Sequence, residues 1–141
     1  SEFDAPFDLW TEEHFGPNET RTKPEDDPDG DGKSNLEEYG TGSDPTQPDQ
    51  DGLKIEIIEE DGKIKVELKF QKSSTAKGVR VGLKQSSALD DPFTPIDPEE
   101  LQSATESPSP SNPNQIDIKL PITPKPSQNQ FYKFYVEIEN P

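Results

Sequence analysis

Oxygen-bearing side chains recur at alternate positions in one short stretch: Asp27, Asp29 and Asp31, then Asn35, and finally Glu38. In a tight loop alternate side chains turn toward a common centre, so this spacing gathers hard oxygen donors around one point. Gly32 stands where such a loop bends sharply, and the Lys33 backbone carbonyl falls where a main-chain ligand is required. A hard divalent cation takes about six to eight oxygens at about 2.3–2.6 Å, and the stretch from Asp27 to Glu38 fills the twelve positions of an EF-hand-type calcium loop. One calcium ion held by Asp27, Asp29, Asp31, Asn35, Glu38 and the Lys33 carbonyl is therefore expected.

Farther along, Asp44, Asp49 and Asp51 repeat part of the theme and stop at Leu53, as a second loop cut short would. They are expected to complete the first site or to hold a weaker second ion. Between Glu25 and Asp51 ten acids stand against one base, Lys33. Carboxylates so crowded repel one another unless cations neutralise them.

The whole chain carries the same sign, with a formal charge of −16 over 141 residues. That charge disfavours nucleic acid and anionic membrane as partners and favours cations. Cysteine is absent, which excludes a disulfide framework and a thiolate metal site. His14 is the only histidine, so a catalytic triad or an imidazole-based metal site lacks its other members, and His14 reads as structural. Acids are plentiful, but nothing in the pattern shelters a pair of them as a general acid and base, and no catalysis is expected.

The run Asp-Pro-Asp-Gly-Asp-Gly-Lys-Ser-Asn-Leu-Glu-Glu-Tyr-Gly-Thr-Gly-Ser-Asp-Pro, residues 27–45, resembles the thrombospondin type 3-like and dockerin-like calcium repeats of secreted bacterial proteins. With Phe7-Asp8-Leu9-Trp10 and His14-Phe15 ahead of it, the chain is similar to C-terminal modules of large exported proteins, where such a motif precedes a short β-sandwich. The resemblance implies that the loop acids Asp27, Asp29, Asp31 and Glu38, together with Asn35, are calcium ligands, with Asp44, Asp49 and Asp51 candidates for a neighbouring ion. The chain departs from the pattern in lacking the remainder of a second repeat.

The elements that must position this loop are few. Phe7, Leu9, Trp10, His14 and Phe15 fall at near-helical spacing, predicting a helix over about 6–15, started at Pro6 and stopped at Gly16-Pro17. After the loop, Asn35 to Tyr39 should wind a turn or two, ended by Gly40 and Gly42, with Leu36 and Tyr39 facing the first helix. Asn18-Glu19-Thr20 between them is a glycosylation sequon, so a glycan is one candidate partner.

From Leu53 the period changes to two. The runs from Leu53 to Ile57 and from Ile64 to Phe70 alternate apolar and charged residues around Asp61-Gly62, the signature of a type I′ hairpin. Leu53 should face Phe70, Ile55 face Leu68 and Ile57 face Val66 on a core side, leaving Lys54, Glu56, Lys65, Glu67 and Lys69 as an outer charge lattice. Val79 to Leu83, Ile116 to Leu120 and Tyr132 to Ile138 supply three more strands. The stretch from 85 to 115 reads as a surface connection anchored by Phe93 and Ile96, and its Ser- and Pro-rich part, 103–113, as a flexible loop.

The expected fold is mainly β, a small, incomplete antiparallel β-sandwich of fibronectin or immunoglobulin type preceded by a helix–calcium loop–helix motif. The division is 1–52 for the motif and 53–141 for the sandwich. Leu, Ile, Val and Phe number only 28 of 141 residues, near the level at which charged chains fail to fold unaided. The bound ion is expected to supply part of the missing stability. A chain beginning at Ser1 suits a mature exported protein as well as a proteolytic fragment, and weak oxygen-ligand loops work where calcium is near millimolar. The expected location is thus extracellular or at the cell surface. Two roles follow: a structural or adhesive module that associates with itself or with other surface proteins in an assembly or filament, or a non-catalytic accessory domain of a secreted enzyme that contacts carbohydrate.

Overall fold

The computed structural model describes residues 2–48, 52–88, 90–123 and 130–139. Helix α1 covers Asp4–Phe15 and helix α2 Asn35–Thr41. Seven strands follow: β1 Lys54–Glu60, β2 Lys63–Ser73, β3 Val79–Ser86, β4 Thr94–Pro95, β5 Thr105–Pro108, β6 Gln115–Ile122 and β7 Phe131–Ile138; a one-turn helix, α3 Pro98–Leu101, lies between β4 and β5. Two antiparallel sheets result, one in the order β1-β2-β6-β5 and one in the order β4-β3-β7.

Their inner faces meet in a single core. Leu68 and Phe70 of β2 and Ile118 and Leu120 of β6 pack against Leu83 of β3, with Val81, Tyr132 and Phe134 at its margin. Ile96, expected as an anchor, is fully enclosed here. The fold is mainly β and consistent with the small sandwich anticipated from the strand pattern.

The hairpin follows its sequence signature closely. Ile55 lies opposite Leu68 and Ile57 opposite Val66. Asp61 and Gly62 both take positive φ, 53° and 75°, as a type I′ turn requires. The outer lattice forms in part, with Lys69 bound to Glu56 and Lys65 reaching Glu60. The core side does not form as expected, because Ile55, Ile57 and Ile64 are 54%, 71% and 62% exposed. Among the described residues the opposing sheet has three strands, and its core contacts fall on β2 and β6, which leaves the hairpin's apolar face open.

The expected flexible stretch is likewise corrected. Within 103–113, Thr105–Pro108 pairs with β6 and Asn112 donates from its side chain to the Gly42 carbonyl at 3.2 Å, while ahead of it Thr94–Pro95, next to the expected anchor Ile96, pairs with β3. Both short strands sit at sheet edges, where proline and serine are tolerated because one side of the backbone needs no partner.

Helix α1 begins two residues earlier than predicted, which brings Phe3 into an aromatic cluster. Phe3 stacks on Phe7 at 4.8 Å, and Tyr39 of α2 meets Phe3, Phe7 and Trp10 edge-on at 5.3–5.8 Å. Tyr39 carries this cluster onto the sandwich: its hydroxyl donates to the Lys77 carbonyl and accepts from the Lys77 N–H, both at 2.9 Å. Helix α2 runs through Gly40 and stops at Gly42. Gly40 is required by packing rather than by a turn, since a Cβ there would lie 2.5 Å from Val136 Cγ1. The helical motif and the sheets thus share a tight contact at α2.

Candidate metal centre

The loop's shape is set by its own side chains. Asp27 accepts from the N–H groups of Gly30 and Gly32 at 3.1 and 2.9 Å, Asp29 from that of Asp31 at 3.3 Å, and Asp31 from that of Lys33 at 2.9 Å. Asp27 therefore spends both oxygens, and Asp29 and Asp31 one each, on closing the turn ahead. Gly30 and Gly32 take φ of 70° and 91°, which other residues adopt only under strain. The result places one oxygen each of Asp27, Asp29 and Asp31 within 4.8 Å of the others.

The exit from the loop is held equally firmly. Ser34 caps α2 by accepting from the Glu37 N–H while Glu37 accepts from the Ser34 N–H, a reciprocal capping box. The Ser34-x-x-Glu37 spacing is itself a helix-start signal in the sequence. Asn35 is 1% exposed and straps the approach segment to the loop, donating from Nδ2 to the Arg21 and Lys23 carbonyls at 3.1 and 3.0 Å. Its backbone N–H donates to Asp26 at 2.7 Å.

With Asn35 Nδ2 so committed, its Oδ1 is buried and accepts no hydrogen bond, and the same holds for Asp29 Oδ2. A buried oxygen acceptor without a donor costs about 1–3 kcal/mol, and a cation is one group that removes that cost. Burial first, then the hydrogen bond that protonated Asp29 donates to Asp27 and the charge of Asp31, push the Asp29 carboxyl up to about 6, against the opposing pull of the Asp31 N–H. The crowding thus disfavours ionisation of Asp29, and a divalent ion would reverse that.

The donor set fits calcium: oxygens only, from carboxylates, an amide and the Lys33 main chain. Asp27, Asp29 and Asp31 are brought together. The Lys33 peptide is tied to Asp31, and Asn35 lies at the loop's exit. Glu38 is 1% exposed on α2 but is not a member of the mutually close carboxylate group. Asp44 is placed elsewhere: it accepts from the Thr46 N–H and hydroxyl at 2.9 and 2.6 Å and lies 3.5 Å from His14 Nδ1. Burial tends to raise the Asp44 carboxyl, but the Thr46 hydrogen bonds and the His14 charge outweigh it and hold it below the usual range. Asp44 therefore closes a turn beside α1 through its Oδ1. Asp49 and Asp51 lie outside the described residues.

The pair formed by His14 and Asp44 lines a groove of about 790 Å³ together with Leu9, Trp10, Asn112 and Asn114. Ser43, next to Asp44 in sequence, is buried against Thr41 and Gln115 at 3.1 and 3.5 Å. His14 packs its ring on Trp10 at 5.0 Å, in keeping with a structural part.

A pH dependence follows from Asp29. A carboxyl whose folded pKa lies above its ordinary value binds its proton more tightly when folded, so in calcium-free protein its contribution to stability falls as pH rises from about 4 to about 6. Calcium must displace that proton, and its affinity is expected to fall as pH drops below about 6. Calorimetric titration at pH 7.5 and pH 5 checks this, and equal affinity at the two values would contradict it.

Comparison with family models, with curated proteins and with solved structures finds no match to this chain.

Proposed function

We propose that this chain is a calcium-stabilised structural module that works outside the cell, with no catalytic role of its own. The reading rests on one observation: three carboxylates converge in a loop whose neighbouring oxygens, Asp29 Oδ2 and Asn35 Oδ1, are buried without hydrogen bonds. Calcium would be held by Asp27, Asp29, Asp31, Asn35 and the Lys33 carbonyl, with Glu38 the further carboxylate at the twelfth position. The bound ion would supply the positive charge that ten neighbouring acids lack and tie the approach segment to α2. Since α2 is also the element that docks on both sheets, ion binding would be coupled to the integrity of the sandwich.

An extracellular place suits this use, because extracellular calcium modules bind with dissociation constants of about 10⁻⁴ to 10⁻³ M. Among the described residues no helix is long and apolar enough to cross a membrane. Asn18 is exposed and would be open to glycosylation. The carbohydrate-contacting alternative would be favoured by an exposed aromatic row, but Phe131, Tyr132 and Tyr135 are each half-buried, and Tyr135 lies against Gly82 with Lys84 over its ring.

Isothermal titration tests the metal assignment. One calcium per chain is expected, with affinity unchanged by Asp44→Ala because Asp44 serves His14 and Thr46. Heat of binding that is absent in the wild-type chain, or a stoichiometry that Asp44→Ala reduces, would overturn the assignment as stated.

A further inference from the structure

Strand β1 is the outermost strand of the four-stranded sheet, and its outer side meets no other strand among the described residues. Natural edge strands are shortened, bulged, charged, interrupted by proline or otherwise covered, and β1 carries charges at Lys54, Glu56, Glu59 and Glu60. This one pairs with β2 over seven residues in unbroken register and contains no proline. Ile55 and Ile57 stand exposed on one of its faces, beside exposed Ile64 of β2 and continuous with Leu68 and Phe70 of the core.

The turn determines which backbone groups are free to bond outward. With a two-residue turn at Asp61-Gly62, Glu60 and Lys63 form the hydrogen-bonded closing pair, and bonding then alternates down the ladder. Lys54, Glu56, Ile58 and Glu60 direct their N–H and C=O toward β2. Ile55, Ile57 and Glu59 direct theirs outward.

We propose that this edge pairs antiparallel with β1 of a second copy of this chain, about a twofold axis through Ile57. The charge pattern selects the occupant and the register. Centred on Ile57, the pairing sets Ile57 against Ile57 once, on the axis, and Ile55 against Glu59, Glu56 against Ile58 and Lys54 against Glu60 twice each. All seven residues are used, no like charges face one another, and the outward groups of Ile55, Ile57 and Glu59 exchange about six backbone hydrogen bonds. Moving the axis to Glu56 opposes the two Glu56 side chains, and moving it to Ile58 opposes Glu56 to Glu60. The strand is thus complementary to itself in the register that uses its full length. The joined sheets form one continuous sheet whose open apolar stripes meet at the axis. This names the partner in the structural-module reading but uses no metal ligand, so either can fail alone.

Sedimentation velocity on the full chain tests it, with calcium saturating and salt at about 0.15 M or above to screen the net charge of −16 per copy. The wild-type chain is expected to move from monomer to dimer as concentration rises to the order of 100 µM. Ile57→Lys puts two lysines face to face at the axis and should weaken the dimer at least about tenfold while circular dichroism stays unchanged, since Ile57 is exposed. Lys54→Glu should also weaken it, and Lys54→Glu combined with Glu60→Lys should restore it. A wild-type monomer at every concentration, a dimer indifferent to Ile57→Lys, or failure of the paired exchange to restore association would each overturn the proposal.

Discussion

Replacing Asp29 with alanine is expected to abolish calcium binding and to leave a protein whose melting temperature no longer responds to the ion. Asp29 is the central member of the converging carboxylates, and its Oδ2 is buried without a hydrogen bond. For a dissociation constant of about 10⁻⁴ M, calcium at about 10 mM stabilises the folded chain by about 2.7 kcal/mol. In a chain of this length that shifts the melting temperature by on the order of 8 °C. A chelator should remove the shift from the wild-type protein and change nothing in the variant. Because the Asp29 carboxyl is held at about 6 by burial and its acidic neighbours, the alanine variant should be no less stable than chelated wild type. Differential scanning calorimetry of both proteins, with calcium and with chelator, decides the matter. A wild-type melting temperature indifferent to chelation would show that the loop does not use calcium to hold the fold.

Tyr39→Ala should be the most damaging single substitution at the junction, costing about 3–5 kcal/mol, the range for removing a buried large aromatic side chain. Its ring touches Phe3, Phe7 and Trp10, and it is 4% exposed. Its loss opens a cavity between the helices and also leaves both backbone groups of Lys77 without their hydroxyl partner. Tyr39→Phe separates the two effects: the ring stays, and the expected cost falls to about 1–3 kcal/mol for the stranded polar groups. Chemical denaturation followed by Trp10 fluorescence reads both variants, since Trp10 lies against Tyr39. A cost below about 1 kcal/mol for the alanine variant would mean that the helical motif and the sandwich stand independently. If the coupling holds, Tyr39→Ala should also weaken calcium binding without touching a ligand, because α2 carries both Asn35 and Glu38.

The division between what the sequence determined by itself and what needed the folded chain follows the range of the forces involved. The Asp27–Glu38 loop was legible because its geometry is local: each aspartate bonds an N–H two to five residues ahead, and glycines stand where φ must be positive. The hairpin register was legible for the same reason, since a two-residue turn leaves a single pairing open to Ile55 and Ile57. Burial on the hairpin was not. Ile57 carries the apolar side chain of a core position, yet its exposure depends on how many strands the other sheet contributes, and no residue near Ile57 encodes that. Thr105–Pro108 shows the opposite case: a segment with no strand signal of its own becomes β5 because β6 presents an open row of backbone groups. Asp44 repeats the loop's residue type in a setting that sequence does not show: its Oδ1 closes the turn at Thr46 and lies beside His14, thirty positions away in sequence. Spacing along the chain decides which oxygens can reach one centre; only the packing of α1, α2 and the sheets decides which of them remain available to it.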